Sequence, residues 1–162
     1  MVTTAKTGVT TYATPSDQDV VVTRVVGAPR RLVFDAMSSP VHVPHWASGP
    51  DGWTMPVCEI DLRPGGKWRY VYRKADGSEM TLQGTYREVS PPDRLVSTES
   101  WGPEWPETVN TLEFAESGGR TTITMTIHYP SKAARDAALG TGMKHGLEIG
   151  FARLDELLAT LE

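Results

Sequence analysis

The segment from Asp61 to Tyr72, DLRPGGKWRYVY, restricts the folds open to this chain more than any other. Its Pro64-Gly65-Gly66 sequence is a turn signal, and a strictly alternating strand pattern begins directly after it. The aromatic residues of that strand share one side, namely Trp68, Tyr70 and Tyr72. Its cations share the other side, namely Lys67, Arg69 and Arg73. Three large rings in a row must be covered, either by protein or by a bound molecule.

The rest of the chain supplies further strands and a helical C-terminus. Alternation or β-branched composition predicts seven strands, at Asp19–Val26, Val57–Leu62, Lys67–Lys74, Glu79–Val89, Arg94–Trp101, Thr108–Ala115 and Thr121–Tyr129. Two short helices are predicted after the first strand, one opened by Ala28-Pro29 and one at Val41–Trp46. A helical pattern runs from Ala133 to Leu161. The order predicts an α+β fold in which one long helix covers an antiparallel sheet.

Length and composition set broad limits on function. The chain has 162 residues, which suits one domain at residues 15–162 behind a flexible N-terminal arm at residues 1–14. Its net charge of −4 disfavours nucleic-acid binding. We expect no membrane insertion, since no apolar run approaches about 20 residues, and no secretory signal, since the N-terminus lacks a basic segment followed by an apolar one. A cytoplasmic protein is the default expectation, and Cys58 is expected to be a small core residue.

Four stretches in order resemble the START-like (SRPBCC) superfamily, and most closely its branch named after the activator of the heat-shock-protein-90 ATPase. They are Val22–Phe34, Asp61–Tyr72, Gly84–Leu95 and Gly142–Leu158. The resemblance implies the helix-grip fold, also called Bet v 1-like, with a curved sheet of about seven strands around a long C-terminal helix and a cavity between them. Such proteins include lipid carriers, polyketide cyclases and co-chaperone domains, so the fold does not fix the function.

The aromatic residues suggest how such a cavity would be used. Ligand pockets are mostly apolar with a few polar groups. The residues predicted to line it are Trp46, Trp53, Trp68, Tyr70, Tyr72, Met80, Leu82, Trp101, Asn110, Leu112, Met125, Met143, Leu147 and Phe151. The main prediction is therefore a protein that binds a small apolar molecule, such as a lipid, a polyketide or an aromatic compound, without catalysis. Ordinary core packing is the alternative for each residue.

Two other functions stay open. One is an enzyme of the polyketide cyclase or dehydratase type, which needs a titratable side chain aimed into the cavity. The carboxylates considered for that role are Glu59, Asp61, Glu99, Glu113 and Glu148, and solvation at the surface is the simpler interpretation of each. The other is a co-chaperone-like module, which predicts a sizeable exposed apolar patch.

Three glycines and two histidines are the remaining candidates for a role in packing or in ligand binding. Gly142, Gly146 and Gly150 recur every four residues, and in a helix this spacing predicts close packing, a dimer contact or room for a ligand. His42 and His45 lie three residues apart, where either could hydrogen-bond a ligand near a cavity mouth. No zinc-binding, phosphate-loop or serine-nucleophile motif occurs in the sequence, so we expect no metal and no cofactor.

Overall fold

The aromatic strand predicted after the turn is present with the expected bounds. In a computed structural model that describes residues 7–161, strand β4 runs over Lys67–Lys74. The other strands are β1 (Thr10–Ala13), β2 (Asp19–Val26), β3 (Trp53–Ile60), β5 (Glu79–Ser90), β6 (Arg94–Glu99), β7 (Thr108–Ser117) and β8 (Arg120–His128). The helices are α1 (Arg30–Ser38), α2 (Val43–Trp46), α3 (Lys132–Leu139) and α4 (Met143–Leu161).

The eight strands form one curved, open, antiparallel sheet in the order β1-β2-β8-β7-β6-β5-β4-β3. Sequential strands from β3 to β8 are neighbours, as short hairpin connections require, and β2 crosses to the far side of β8. The predicted α+β helix-grip class is confirmed, including two short helices after β2 and a long helix at the C-terminus.

The turn before β4 shows why it contains two glycines. Gly65 has a φ of +82°, a conformation that residues with a Cβ rarely adopt. At Gly66 a Cβ would lie 2.1 Å from the Asp61 carbonyl oxygen, so only glycine fits. The same segment continues the sheet, because Gly65 donates to the Tyr86 carbonyl and Tyr86 donates to the Gly66 carbonyl, each at 2.8 Å. The turn therefore fixes the register of β4 against β5.

An eighth strand occupies part of the predicted flexible arm. Residues Thr10–Ala13 form β1, which pairs with the edge of β2 and places Tyr12 opposite Val22. Four residues are too short for a convincing alternation, and pairing with an existing edge stabilises them. Residues 1–6 of the predicted arm lie outside the described residues.

The edge strand β3 is longer than predicted. The sequence pattern predicts a loop over Ser48–Met55 and a strand that begins at Val57, where alternation starts. In the structure β3 begins at Trp53, and its register with β4 shifts between Thr54 and Val57. Pro56 lies within this bulge of an edge strand, where no neighbour needs its missing N–H donor.

The C-terminal helical segment is two helices. The pattern predicted one helix from Ala133 to Leu161, but α3 ends at Leu139 and α4 begins at Met143. Ser131 caps α3 by accepting a hydrogen bond from the Ala134 N–H at 3.1 Å, and Gly140 follows its last residue. Gly142 thus precedes α4 rather than lying within it.

Candidate ligand site

One face of the sheet carries the large apolar side chains and lies against the helices. Cross-strand pairs place neighbours on this inner face, including Tyr70 opposite Leu82, Tyr72 opposite Met80, and Leu112 opposite Met125. The predicted aromatic stripe of β4 is on it, with Trp68 and Tyr72 buried and Tyr70 partly buried. The space between the inner face and α4 is therefore where a ligand would contact the rings.

Packing on the inner face changes along α4. Towards the C-terminus three apolar side chains are buried, with Phe151 at 2%, Leu154 at 0% and Leu158 at 3% exposure, while Leu157 and Leu161 are partly exposed. Towards the N-terminus Met143 and Leu147 keep part of their surface accessible. We call the first region the packed half, formed by Phe34, Leu95, Phe114, Ile123, Phe151 and Leu154, which are all buried. We call the second the accessible half, formed by Tyr70, Met80, Glu99, Asn110, Leu112, Met125, Met143 and Leu147, which are all partly exposed.

Three tyrosine hydroxyls on the inner face have no hydrogen-bond partner within the described residues. Tyr72 and Tyr86 are only 8% and 6% exposed, yet neither their hydroxyls nor that of Tyr70 bonds to any residue within 7–161. None of these hydroxyls is among the fully buried unpaired atoms of the described residues, so each reaches accessible space. A fourth tyrosine, Tyr129, has its hydroxyl 3.9 Å from the Met143 sulfur. Burial raises the pKa of the Tyr129 phenol to about 12, so it stays protonated near neutral pH.

Glu99, the last residue of β6, places a carboxylate in this half. Thr108 donates to the Asn110 Oδ1 at 2.8 Å, and the Asn110 Nδ2 donates to the carboxylate. The side chain of Trp101 lies close to the same carboxylate. Although Glu99 keeps a little accessible surface, the surrounding protein removes most of its water. This desolvation raises the pKa of Glu99 from 4.5 to about 7, while the Asn110 hydrogen bond and the nearby Trp101 side chain oppose the rise.

The four predicted tryptophans have different surroundings. Trp46 donates its indole N–H to the Ala36 carbonyl at 2.8 Å, so it joins α2 to α1. Trp53 lies edge-on to Tyr72, with ring centroids 6.4 Å apart, and below Lys74. Trp68 packs 4.8 Å from Tyr70. Trp101 lies in the loop after β6 and is 42% exposed. Only Trp68 and Trp101 therefore border the space around Glu99 and Tyr70.

The position of Trp68 is one reason why residue 84 of β5 is glycine. Gly84 pairs with Trp68, and a Cβ there would lie 1.8 Å from the Thr98 carbonyl and 2.8 Å from the Trp68 indole nitrogen. The ring therefore covers bare backbone, and its N–H is buried without a hydrogen-bond partner in the described part of the chain.

The glycine stripe does not pack against the sheet. A Cβ at Gly142 or Gly146 would meet nothing within 4 Å, and one at Gly150 would make ordinary contacts with Trp46. The predicted close approach is therefore wrong at Gly142 and Gly146. Both residues are exposed, so they contribute neither to the core nor to the inner face.

The histidines lie away from the inner face. His42 lines a surface depression of about 390 Å³ with Asp35, Ser38 and Leu62, and none of the predicted cavity residues lines it. His45 is exposed on α2. His128 is exposed and 2.6 Å from Asp19. Among residues 7–161, no cluster of three or more histidine, cysteine or acidic side chains is placed to hold a metal ion.

Most other candidate carboxylates have surface partners. Glu59 pairs with Arg69 and Glu113 with Arg94, at 3.2 and 3.1 Å respectively. Cys58 is a partly buried free thiol, and burial raises its pKa to about 11, which disfavours the reactive thiolate.

One buried arginine, Arg24, was not predicted from the sequence. Arg24, in β2, is 4% exposed and binds Asp155 of α4 at 2.6 Å. It also approaches Glu148 to 3.6 Å and lies 5.4 Å from the centre of the Phe151 ring. Its signal is visible in the sequence VVVTRVV, where the arginine takes a position in phase with the buried valines.

Sequence comparison identifies the family of a chain with this geometry. The sequence profile of the family described as Activator of Hsp90 ATPase homolog 1-like protein matches residues 27–159. The chain belongs to this family. A search of curated proteins found no match.

Solved structures agree with the assignment to the Hsp90-activator-like family. A Rhodobacter sphaeroides protein of known crystal structure is 29% identical, with a TM-score of 0.88 over 94% of this chain and 99% of that one. A Nitrosomonas europaea protein is 24% identical, with a TM-score of 0.80 over 91% and 97%. An AHSA1-like protein from Aeromonas hydrophila is 20% identical, with a TM-score of 0.69 over 88% and 95%. The fold of this family member is thus shared over nearly its whole length.

Across the described residues, no helix of this family member is both long and apolar enough to cross a bilayer.

Proposed function

We propose that the protein binds a small apolar or aromatic molecule between the accessible half of the sheet and the N-terminal part of α4. The observation that carries this proposal is the contrast in burial along one helix. Met143 and Leu147 pack against the core cluster, as do Leu112 and Met125, and all four stay partly exposed. Phe151, Leu154 and Leu158 of the same helix are buried. Apolar surface left accessible inside a fold is normally covered by a ligand or a partner.

The chemistry of the accessible half supports a ring-bearing or branched ligand. Methionines at positions 80, 125 and 143 supply flexible, polarisable contacts that adapt to different shapes. The tyrosine hydroxyls supply hydrogen-bonding groups that have no partner among the described residues. The combination matches an apolar site with a few polar groups that set orientation.

Binding of the neutral fluorophore N-phenylnaphthylamine to purified protein tests the proposal. We expect fluorescence enhancement that saturates at one molecule per chain. The variant Met125→Trp adds a bulky ring on the inner face and should abolish the signal, and Thr124→Trp, one residue away on the opposite face of β8, should leave it intact.

Circular dichroism melts verify that both variants fold, because overpacking costs about 1 to 3 kcal/mol. Should Met125→Trp destabilise the fold, Met143→Phe at the start of α4 replaces it. Equal binding by the inner-face and outer-face variants would contradict the proposal. Native mass spectrometry of protein purified from its own host then identifies the class of any retained molecule.

A second candidate function is proton transfer of the cyclase or dehydratase type. Glu99 favours it, because a carboxylate with a pKa of about 7 beside an apolar site suits a general base. The test is the cyclisation or dehydration rate of short β-polyketone thioesters. Glu99→Gln should remove any acceleration, with a rate that rises through about pH 7 in the unmodified protein. An unchanged rate in that variant would exclude Glu99 as the base.

A further inference from the structure

We propose that the ligand of the accessible half is an organic cation whose ammonium group binds Glu99 while its apolar part lies against the surrounding rings. The inference rests on the proposed function and narrows it to amines with an apolar or aromatic body. It follows from the surroundings of the Glu99 carboxylate, the kinds of polar group around it, and the positions of the buried cations.

The carboxylate is held in place but not neutralised. Asn110 donates to it, Trp101 lies beside it, and Thr108 fixes the orientation of the Asn110 amide. Within the described part of the chain, no lysine, arginine or histidine pairs with Glu99. A desolvated carboxylate without a cation is costly, and its ionised form is stabilised by a positive group brought from outside.

The neighbouring polar groups suit an ammonium group better than an anion. An ammonium has donors and no acceptor, so it needs oxygen acceptors around it. Phenol oxygens of Tyr70 and Tyr72 are available, and both residues lie close enough to Glu99 for its charge to raise their pKa values. Aromatic faces also attract cations, by about 0.5 to 2 kcal/mol at each well-placed ring. Trp101, Tyr70 and Tyr72 supply such rings next to the carboxylate.

The buried cations that would attract an anionic ligand are already paired. Of the described arginines and lysines, Arg24 and Arg135 are buried. Arg24 binds Asp155 and Glu148, and Arg135 binds Asp136 and the Ser16 carbonyl. A fatty-acid or other carboxylate ligand would therefore bring a second negative charge to Glu99 without a cation to balance it.

The protonation of Glu99 gives the inference a measurable consequence, namely a ligand affinity that depends on pH. The other titratable groups facing the carboxylate are Tyr70 and Tyr72 from β4 and Tyr129 after β8, and burial raises the pKa of each, so they stay neutral. From α4, Met143 and Leu147 carry no titratable group. Glu99 alone in this set then changes charge between about pH 5.5 and about pH 8.5, where ordinary tyrosines do not titrate. A cation that needs the ionised form should bind roughly thirtyfold more tightly at the higher pH.

The test compares three probes that share one ring system, namely naphthylmethylamine, naphthylmethanol and naphthoate. Isothermal calorimetry with the whole protein at about pH 8.5 should give an affinity for the amine about tenfold above that for the alcohol. Naphthoate should bind most weakly. Glu99→Gln should remove the preference for the amine and its pH dependence, while Glu113→Gln, an exposed acid on the opposite face, should change neither.

A measurement on the unmodified protein keeps the inference testable if Glu99→Gln fails to fold. At about pH 7 the amine should release protons on binding, because the added charge lowers the pKa of Glu99. Titrations in two buffers with different ionisation enthalpies count those protons.

The outcomes separate the two proposals. Equal affinity for the alcohol and the amine, or amine binding without proton release, overturns the inference and leaves the proposed apolar site standing. Tightest binding by naphthoate overturns it as well. A loss in Glu113→Gln equal to that in Glu99→Gln would assign the preference to surface charge, against the inference. Absence of binding by all three probes contradicts the proposed function and this inference together.

Discussion

The packed half and the accessible half lie under the same helix and on the same sheet, yet the side chains of one are buried and those of the other stay partly exposed. In the packed half a further layer covers the helix, since Trp46 lies beside Gly150 and Arg153 donates to the Gly49 carbonyl. Phe34 of α1 also fills the space beside Phe114, with ring centroids 5.6 Å apart. The accessible half has methionines and tyrosines on the inner face instead. The difference indicates that the packed half contributes most of the stabilising burial under α4, which is why the proposed ligand site is assigned to the other half.

The two halves also differ in whether their charged side chains have a partner of opposite charge. In the packed half, buried Arg24 is matched by two acids of α4. In the accessible half, Glu99 is matched by neutral donors only. A structural charge is normally paired, whereas a charge left without its counterpart is typical of a site that acts on something else.

The largest expected effect comes from truncating one leucine in each half of α4. Leu154→Ala in the packed half should lower the free energy of unfolding by about 2 to 5 kcal/mol, because it leaves a cavity in a fully buried cluster. Leu147→Ala in the accessible half should cost only about 1 kcal/mol, since its side chain is already partly exposed. Urea denaturation of both variants measures the difference, and equal losses would remove the distinction between the halves.

The second-largest expected effect is the pH dependence of the free energy of unfolding that Glu99 introduces. Its pKa is 4.5 in the unfolded chain and about 7 in the folded protein, so between these values the folded state holds a proton that the unfolded state lacks. Stability should therefore fall as the pH rises through this window and level off above it. Glu99→Gln removes this loss and should be more stable than the unmodified protein by up to about 3 kcal/mol at pH 8.

The measurement is a series of denaturant titrations at pH values across that window. At about pH 4.5 the variant and the unmodified protein should have similar stability, because the carboxyl is then neutral in the folded state. Glu113→Gln serves as the control and should track the unmodified protein at every pH. A constant offset between Glu99→Gln and the unmodified protein would show that Glu99 does not titrate in this range.

The smallest effect is expected at Gly146. Alanine there meets no neighbour, so Gly146→Ala should raise stability by up to about 1 kcal/mol through helix propensity alone. Thermal unfolding of this variant beside Gly84→Ala provides a contrast, since a Cβ at Gly84 would collide with the Thr98 carbonyl. If Gly146→Ala is destabilising, a contact with that face of α4 must exist, and the glycine stripe then has a packing role.

The sequence predicts the sheet well because each strand carries its own alternation. Lys67–Lys74 was found with the same bounds, and the resemblance supplied the wrapped helix. The strand β1 was missed because its four residues depend on the edge of β2, which only the folded sheet provides. The break between α3 and α4 was missed because Gly142, with Gly146 and Gly150, also fits the four-residue glycine spacing of a continuous helix.

Which residues meet at the candidate site was harder to predict. Alternation places Asn110 and Tyr70 on one face, but it does not tell which of five carboxylates lies next to them. Glu99 reaches the inner face at the end of β6, where its partner in the register is Thr108. That position depends on the bulge between Tyr86 and Glu88, which shifts β6 relative to β5 and has no distinct sequence signature.

Arg24 has a consequence for how fast a ligand could bind. Its bonds to Asp155 and Glu148 join β2 to acids that lie two helical turns apart, and Tyr12 of β1 donates to Glu148 at 2.8 Å. These contacts fix the height of α4 above the sheet through side chains that are not part of the accessible half. An empty site would therefore keep its shape, and an incoming molecule would meet a preorganised surface whose association rate is set by diffusion and access rather than by rearrangement.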